Sequence, residues 1–188
     1  DVELCTIRSA FNKNVSGAAI AKKHHTMYPT ILFVGRLSPH KGVHLLITAF
    51  RDVQREFPNA TLLIIGKPTF EGYLAELKRQ AQGDSHIQFI GFVSDEDLPK
   101  YYAACDVYAT ATLWEGFNLP LAEAQACGKP VVAFNIGAHP EVVKNPALGT
   151  LVPEGDVRAL AGAIIETLRK NESMNARKST SVKNINKK

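Results

Sequence analysis

Thr30-Ile31-Leu32-Phe33-Val34-Gly35, followed by a periodic stretch over residues 43–57, decides how this chain folds. Ile31 to Val34 is apolar without alternation, so a strand made from it must be covered on both faces. Gly35 ends it. Val43, Leu46, Ile47, Phe50, Val53 and Phe57 then recur with a helical period. The same strand-then-helix unit repeats to the far end of the chain. Strands are expected at residues 61–65, 87–90, 107–111, 131–134 and 149–152. Helices are expected at 73–81, 121–127, 140–143 and 157–168. Another runs to Ala104 from Ser94-Asp95-Glu96-Asp97, which resembles a capping box with Asp in place of Glu. Strict alternation of such units implies an α/β domain, a Rossmann-like doubly wound parallel sheet of about six strands. Such sheets take ligands outside the carboxyl ends of their strands. The loops at those ends are residues 35–42, 66–70, 91–94, 112–119 and 135–140, and each contains glycine. Neither G-x-G-x-x-G nor G-x-x-x-x-G-K-[ST] occurs, so the dinucleotide fingerprint and the P-loop are both missing.

Composition narrows the function classes. The 188 residues are 45% hydrophobic, enough for one full core. The formal charge is +4. From residue 171 onward, Arg177, Lys178, Lys183, Lys187 and Lys188 stand against Glu172, so the tail carries the whole excess and the body is near neutral. A nucleic-acid reader carries its basic patch on the folded face, which argues against nucleic-acid binding. The tail leaves room for a peripheral contact with an anionic membrane surface. Cys5, Cys105 and Cys127 are odd in number and widely spaced, with no disulfide framework and no Cys-x-x-Cys metal pattern. That usage fits a reducing, cytoplasmic setting. No signal peptide and no apolar run long enough to span a bilayer is found.

The stretch richest in chemistry is Trp114-Glu115-Gly116-Phe117-Asn118-Leu119-Pro120-Leu121-Ala122-Glu123. Glu115 falls in a loop and Glu123 in the first turn of the expected helix, with Asn118 as a candidate cap and Gly128 as the stop. A loop entering a helix presents unpaired N–H groups and the positive end of a dipole, where a phosphate or sugar hydroxyl is held. Both carboxylates are expected to face one cleft. On spacing alone, Glu123 could equally complement the helix dipole while Glu115 stays solvated.

Arg36 and Lys41 flank the loop after the first strand, just before a helix. Cations there oppose the dipole at about a few tenths of a kcal/mol, and an anion between them reverses the sign. Arg supplies a fork and Lys a point charge, a set that suits a diphosphate without a metal. Read alone, they could also be solvated surface charges. Phe92-Val93 offers an apolar wall with free backbone groups for a planar base, or ordinary packing. His40 and His44 are spaced to face together on a helix, and His24-His25 lies in a segment, residues 13–29, that reads as loop. No third ligand accompanies either pair, so no metal site is assigned.

In combination these pieces resemble a known family. Gly35-Arg36-Leu37, Lys41-Gly42, Gly91-Phe92-Val93-Ser94, the stretch from Glu115 to Ala124, Gly128-Lys129-Pro130-Val131-Val132, Gly137 and Pro140-Glu141-Val142 occur in order. The set resembles the C-terminal half of the retaining GT-B glycosyltransferases of group 1, whose signature is E-x7-E, over residues 31–168. The resemblance implies one half of a GT-B fold that binds a UDP-, GDP- or ADP-sugar. It implies that Arg36 and Lys41, beside Gly35, hold the diphosphate, and that Glu115 touches the transferring sugar near the reacting face. Amides of Phe117, Asn118 and Leu119, next to Gly116, would support sugar and phosphate. Glu123 would accept both ribose hydroxyls, and Phe92 and Val93 would hold the base. Glu115, Arg36 and Lys41 are thus the implied catalytic residues, and no metal or other cofactor is implied. The family often has Gly where Asn118 stands; Asn tolerates unusual backbone angles, so the loop can survive.

The resemblance also implies a division into a linker over residues 1–30, a donor-binding domain over 31–170 and a polar tail over 171–188. An N-terminal acceptor-binding domain is expected outside this chain, so the isolated chain is expected to transfer weakly or not at all. Two rival readings are a stand-alone nucleotide-sugar binding module without transferase activity and a GT-B sugar-nucleotide epimerase. The epimerase fits the fold but accords less well with the E-x7-E loop.

Overall fold

In the computed structural model of the protein, residues 16–185 are described, with side chains to residue 174. Cys5, the first half of the expected linker (residues 1–15), and Lys187 and Lys188 lie outside the described residues. The described chain alternates helix and strand: α1 (Ala18–His24), β1 (Thr30–Val34), α2 (Val43–Glu56), β2 (Thr61–Ile65), α3 (Glu71–Ala81), β3 (Ile87–Gly91), α4 (Leu98–Ala104), β4 (Val107–Thr110), α5 (Leu119–Ala126), β5 (Val131–Phe134), α6 (His139–Val142), β6 (Gly149–Val152) and α7 (Val157–Ile185). A short 3-10 turn, Pro39–Lys41, precedes α2.

The six strands form one sheet in the order β3-β2-β1-β4-β5-β6, and every pairing is parallel. The order reverses between β1 and β4, which makes their carboxyl ends the switch point where such sheets bind ligands. The pleat sends alternate residues to opposite faces. Ile31, Phe33, Leu62, Ile64, Val132 and Phe134 pack on one face against Leu46, Ile47 and Phe50 of α2 and Leu160, Ile164 and Leu168 of α7. Leu32, Leu63, Tyr108, Val131 and Ala133 pack on the other against Ile20 of α1, Tyr101 and Tyr102 of α4, and Leu121 of α5. Two covered faces explain why the strands read as unbroken apolar runs.

Three differences from the sequence reading have physical causes. Residues 18–24, read as loop, form α1. Its sequence, Ala-Ala-Ile-Ala-Lys-Lys-His, buries only Ile20, and His24 Nε2 lies 3.0 Å from the Tyr101 hydroxyl. Its stability comes from packing on α4 rather than from an amphipathic stripe. Helix α7 runs on past Leu168 to Ile185 in place of ending where the apolar period stops. At Ser94, the hydroxyl accepts from the Asp97 N–H at 3.3 Å as a cap does, but residues 95–97 form a turn and α4 starts only at Leu98. No helix among the described residues is long and apolar enough to cross a membrane.

Candidate active site at the switch point

The loops leaving β1 and β4 are stapled together. The Leu113 N–H donates to the His40 carbonyl at 2.8 Å. Gly42 has φ +63, and a Cβ there would lie 1.8 Å from the Ala111 carbonyl oxygen. Only a residue without a side chain lets α2 begin this close to the end of β4. The approach brings Lys41 and Glu115 together: the Lys41 ammonium donates to Glu115 Oε2, and the Gly116 N–H donates to Glu115 Oε1 at 3.1 Å. Both ionic side chains are mostly shielded, 16% and 19% exposed. The anion that offsets Lys41 at the start of α2 is therefore the Glu115 carboxylate. Arg36 is exposed at the head of the same loop and forms no ion pair with the described residues. Gly35 closes β1, its N–H donating to the Ile65 carbonyl at 3.0 Å.

Helix α5 begins at Leu119 with Pro120 in its first turn. Ahead of it, the N–H groups of Phe117, Asn118 and Leu119 donate to no acceptor among the described residues, leaving a row of free donors at a helix N-terminus. Glu123 is the fifth residue of α5 and so lies beyond the first turn where the sequence reading places it. Its Oε2 accepts from the buried Tyr102 hydroxyl at 2.7 Å. Burial raises the Glu123 pKa above the ordinary carboxylate value, the Tyr102 bond pulls it down, and nearby Asp95 raises it. The Tyr102 hydroxyl is pushed well above its ordinary pKa, first by burial and then by the Glu123 charge, so it stays a donor. Glu115 and Glu123 thus make different partners: Lys41 for one, Tyr102 for the other.

Asn118 occupies the cap position with φ +61, but its side chain caps nothing. It turns instead to His139, a fully buried residue that sequence reasoning missed. The only sequence signal was position: His139 stands in the 135–140 loop at a carboxyl strand end. After β3, Phe92 is 67% exposed and Lys67 Nζ stands 4.5 Å over its ring, a cation–π contact absent from the sequence reading. Val93 is half-buried against the core. The pair is therefore one exposed aromatic and one packed aliphatic residue. His40 and His44 do not share a face. His40 meets Trp114 edge-on at 6.2 Å, whereas His44 Nδ1 lies 2.9 Å from the Tyr73 hydroxyl. Among the described residues no cluster of His, Cys, Asp and Glu could hold a metal ion. Cys105 is buried with its thiol pushed up to about 12 by burial, and half-buried Cys127, packed against the core, is pushed up to about 11, so both are held as thiols at neutral pH. A separate groove of about 550 Å³ lies along Pro130, Gly149, Thr150 and Lys170, at the amino ends of β5 and β6 and away from these groups.

Known proteins resemble this chain in sequence and in fold. The sequence is 38% identical over 143 residues to a phosphatidyl-myo-inositol mannosyltransferase of Mycobacterium leprae, covering 74% of this chain and 37% of that protein. It is 33% identical over 147 residues to a GDP-mannose-dependent alpha-(1-6)-phosphatidylinositol monomannoside mannosyltransferase of Mycobacterium tuberculosis, covering 74% and 38%. The chain thus spans well under half the length of these relatives. Among solved structures, Anabaena Alr3699/HepE in complex with UDP and glucose superposes with a TM-score of 0.76 at 29% identity, over 83% of this chain and 43% of that one. The C-terminal domain of the group 1 glycosyl transferase LpcC from Francisella tularensis superposes with a TM-score of 0.76 at 28% identity, over 88% of both chains. The sheet with its flanking helices is the Rossmann-like domain of the GT-B glycosyltransferases. Residues 18–184 match the family described as glycosyl transferases group 1, and the chain belongs to that family.

Proposed function

We propose that this chain is the donor half of a configuration-retaining hexosyltransferase that transfers sugar from a nucleoside diphosphate without a divalent metal. The observation that carries the reading is the switch-point cluster: Lys41 paired with Glu115, the free amides of Phe117, Asn118 and Leu119 on the same loop as Glu115, and unpaired Arg36 on the loop of Lys41. Arg36, Lys41 and the amides supply positive charge for the diphosphate as it leaves, the amides being fixed at the start of α5 before the donor arrives. Lys41 then exchanges part of its contact with Glu115 for phosphate oxygen, and Glu115 is released to accept from hydroxyls of the transferring sugar. Glu123, held through one oxygen by Tyr102, offers the other to the ribose hydroxyls. Exposed Phe92, next to Val93, lies at the end of β3 where a base can rest. The acceptor is held by an N-terminal domain outside this chain, so the chain alone binds donor and transfers little. Relatives named as mannosyltransferases and a neighbour holding UDP and glucose support a nucleotide-sugar donor.

The reading is tested by comparing a nucleoside diphosphate with its nucleoside on two variants. Arg36→Ala should weaken the diphosphate by about tenfold and leave the nucleoside nearly unchanged, the loss of one charge-assisted contact. Glu123→Ala should weaken both. Equal losses for Arg36→Ala, or full affinity in Glu123→Ala, would remove those residues from the phosphate and ribose sites.

A further inference from the structure

Asn118 and His139 form a contact that the proposed catalysis does not use. Asn118 holds a left-handed backbone, φ +61 and ψ +67, at the corner where the loop turns into α5. Residues with a Cβ adopt that region reluctantly. Its amide Nδ2 donates to His139 Nε2 at 2.9 Å, and His139 Nδ1–H donates to the Phe134 carbonyl at 2.7 Å. These two bonds fix the tautomer, with the proton on Nδ1 and Nε2 as acceptor. Burial holds the His139 pKa below its ordinary value, so the ring stays in that neutral form. The same short loop braces the other end of the site: a Cβ on Gly137 would lie 2.5 Å from the Glu115 carbonyl oxygen. A continuous path therefore runs from the end of β5 through His139 to Asn118, with Gly137 seated under Glu115. Neither ring nitrogen is left to reach a ligand.

We propose that His139 is a positioning residue, which with Asn118 forms a buried strut holding the 115–119 loop so that its free amides and Glu115 face the donor. The inference rests on the reading of this loop as the donor-holding loop. A glycine at position 118 would keep the left-handed corner without help. The strut should therefore matter when residue 118 is Asn and become dispensable when it is Gly.

A double-mutant cycle over His139→Leu and Asn118→Gly tests this. The ligand-free readout is amide hydrogen exchange at the bonded amides of this loop, Gly116, which donates to Glu115 Oε1, and Leu121 and Ala122, which donate to the Asn118 carbonyl, with Leu32 and Tyr108 in the central strands as the reference for global unfolding. His139→Leu should speed exchange in the loop at least about tenfold relative to those strands, and the same change in the Asn118→Gly background should speed it less than twofold. Affinity for the preferred nucleoside diphosphate should follow, with at least a fivefold loss in the first background and none in the second. His139→Gln, which keeps one donor and one acceptor, should restore loop protection. Should His139→Leu alone fail to fold, the strut requires the double variant to fold. Equal acceleration in both backgrounds, no acceleration in the first, or a double variant that also fails to fold overturns the strut. If no diphosphate binds the unaltered chain, the donor reading fails, while the exchange cycle still decides the strut.

Discussion

Replacing Tyr102 with Phe removes one hydroxyl from a fully buried ring and leaves the packing of α4 on β4 in place. The hydroxyl donates to Glu123 Oε2 at 2.7 Å. A hydrogen bond to a charged group contributes about 1.5–3 kcal/mol. The carboxylate is already disfavoured by burial, and the Tyr102 bond is what pulls its pKa back down. The variant should therefore lose roughly 1.5–3 kcal/mol of stability at neutral pH, a fall in Tm on the order of 5 °C for a domain of this size. The deficit should shrink on acidification, because the bond is stronger to the carboxylate than to the neutral acid. Chemical denaturation of both proteins at neutral pH and in the carboxyl range measures this. Function should respond too. With Glu123 no longer held, the preference for a diphosphate over its 2′,3′-dideoxy analogue should fall by about tenfold, one contact's worth. An unchanged Tm together with an unchanged preference would refute the claim that Tyr102 sets the Glu123 carboxylate for ribose.

His139 gives the chain a pH dependence. Its folded-state pKa lies below the ordinary histidine value because burial disfavours the cation. The folded state then binds fewer protons, so the contribution is fully present above the unfolded histidine pKa of about 6.5 and is lost as pH falls through the folded value. Denaturation midpoints should drop more steeply below pH 6.5 for the unaltered chain than for His139→Gln. Glu123 works with the opposite sign: its raised pKa means that burying the carboxylate opposes folding at neutral pH, and acidification through the carboxyl range relieves that. Gly42→Ala should destabilise by about 2–4 kcal/mol, because the new methyl meets the Ala111 carbonyl and the left-handed angle is strained. A loss under about 0.5 kcal/mol would show that the β1 and β4 loops are not pinned there.

The regular elements were legible because parallel strands covered on both faces leave a signal that needs no tertiary knowledge. Residues 61–65, 131–134 and 149–152 were read at the bounds the structure gives. Helix α1 was not legible, since its seven residues have one large apolar side chain, Ile20, carry no periodic stripe and are held by α4. The end of α7 was hidden for a related reason: its apolar period stops near Leu168 while the helix continues. At the site, the loops that carry Arg36, Lys41 and Glu115 were visible from strand ends and glycines. The pairing of Lys41 with Glu115, 74 positions apart, was not, because it depends on strand order and on how closely Gly42 approaches Ala111. Asn118 read as a cap because its type suits that role, and only the buried His139 across the loop redirects its side chain. Phe92 read as part of an apolar wall, while Lys67, which covers it, comes from the end of a different strand.

The most direct measurement is calorimetric titration of this chain with UDP, GDP and ADP, each in EDTA and then with magnesium. The account predicts that one diphosphate binds in EDTA, at least about tenfold tighter than the other two and with little change on adding magnesium. Binding that appears only with magnesium, or binding of none of the three under either condition, would contradict it.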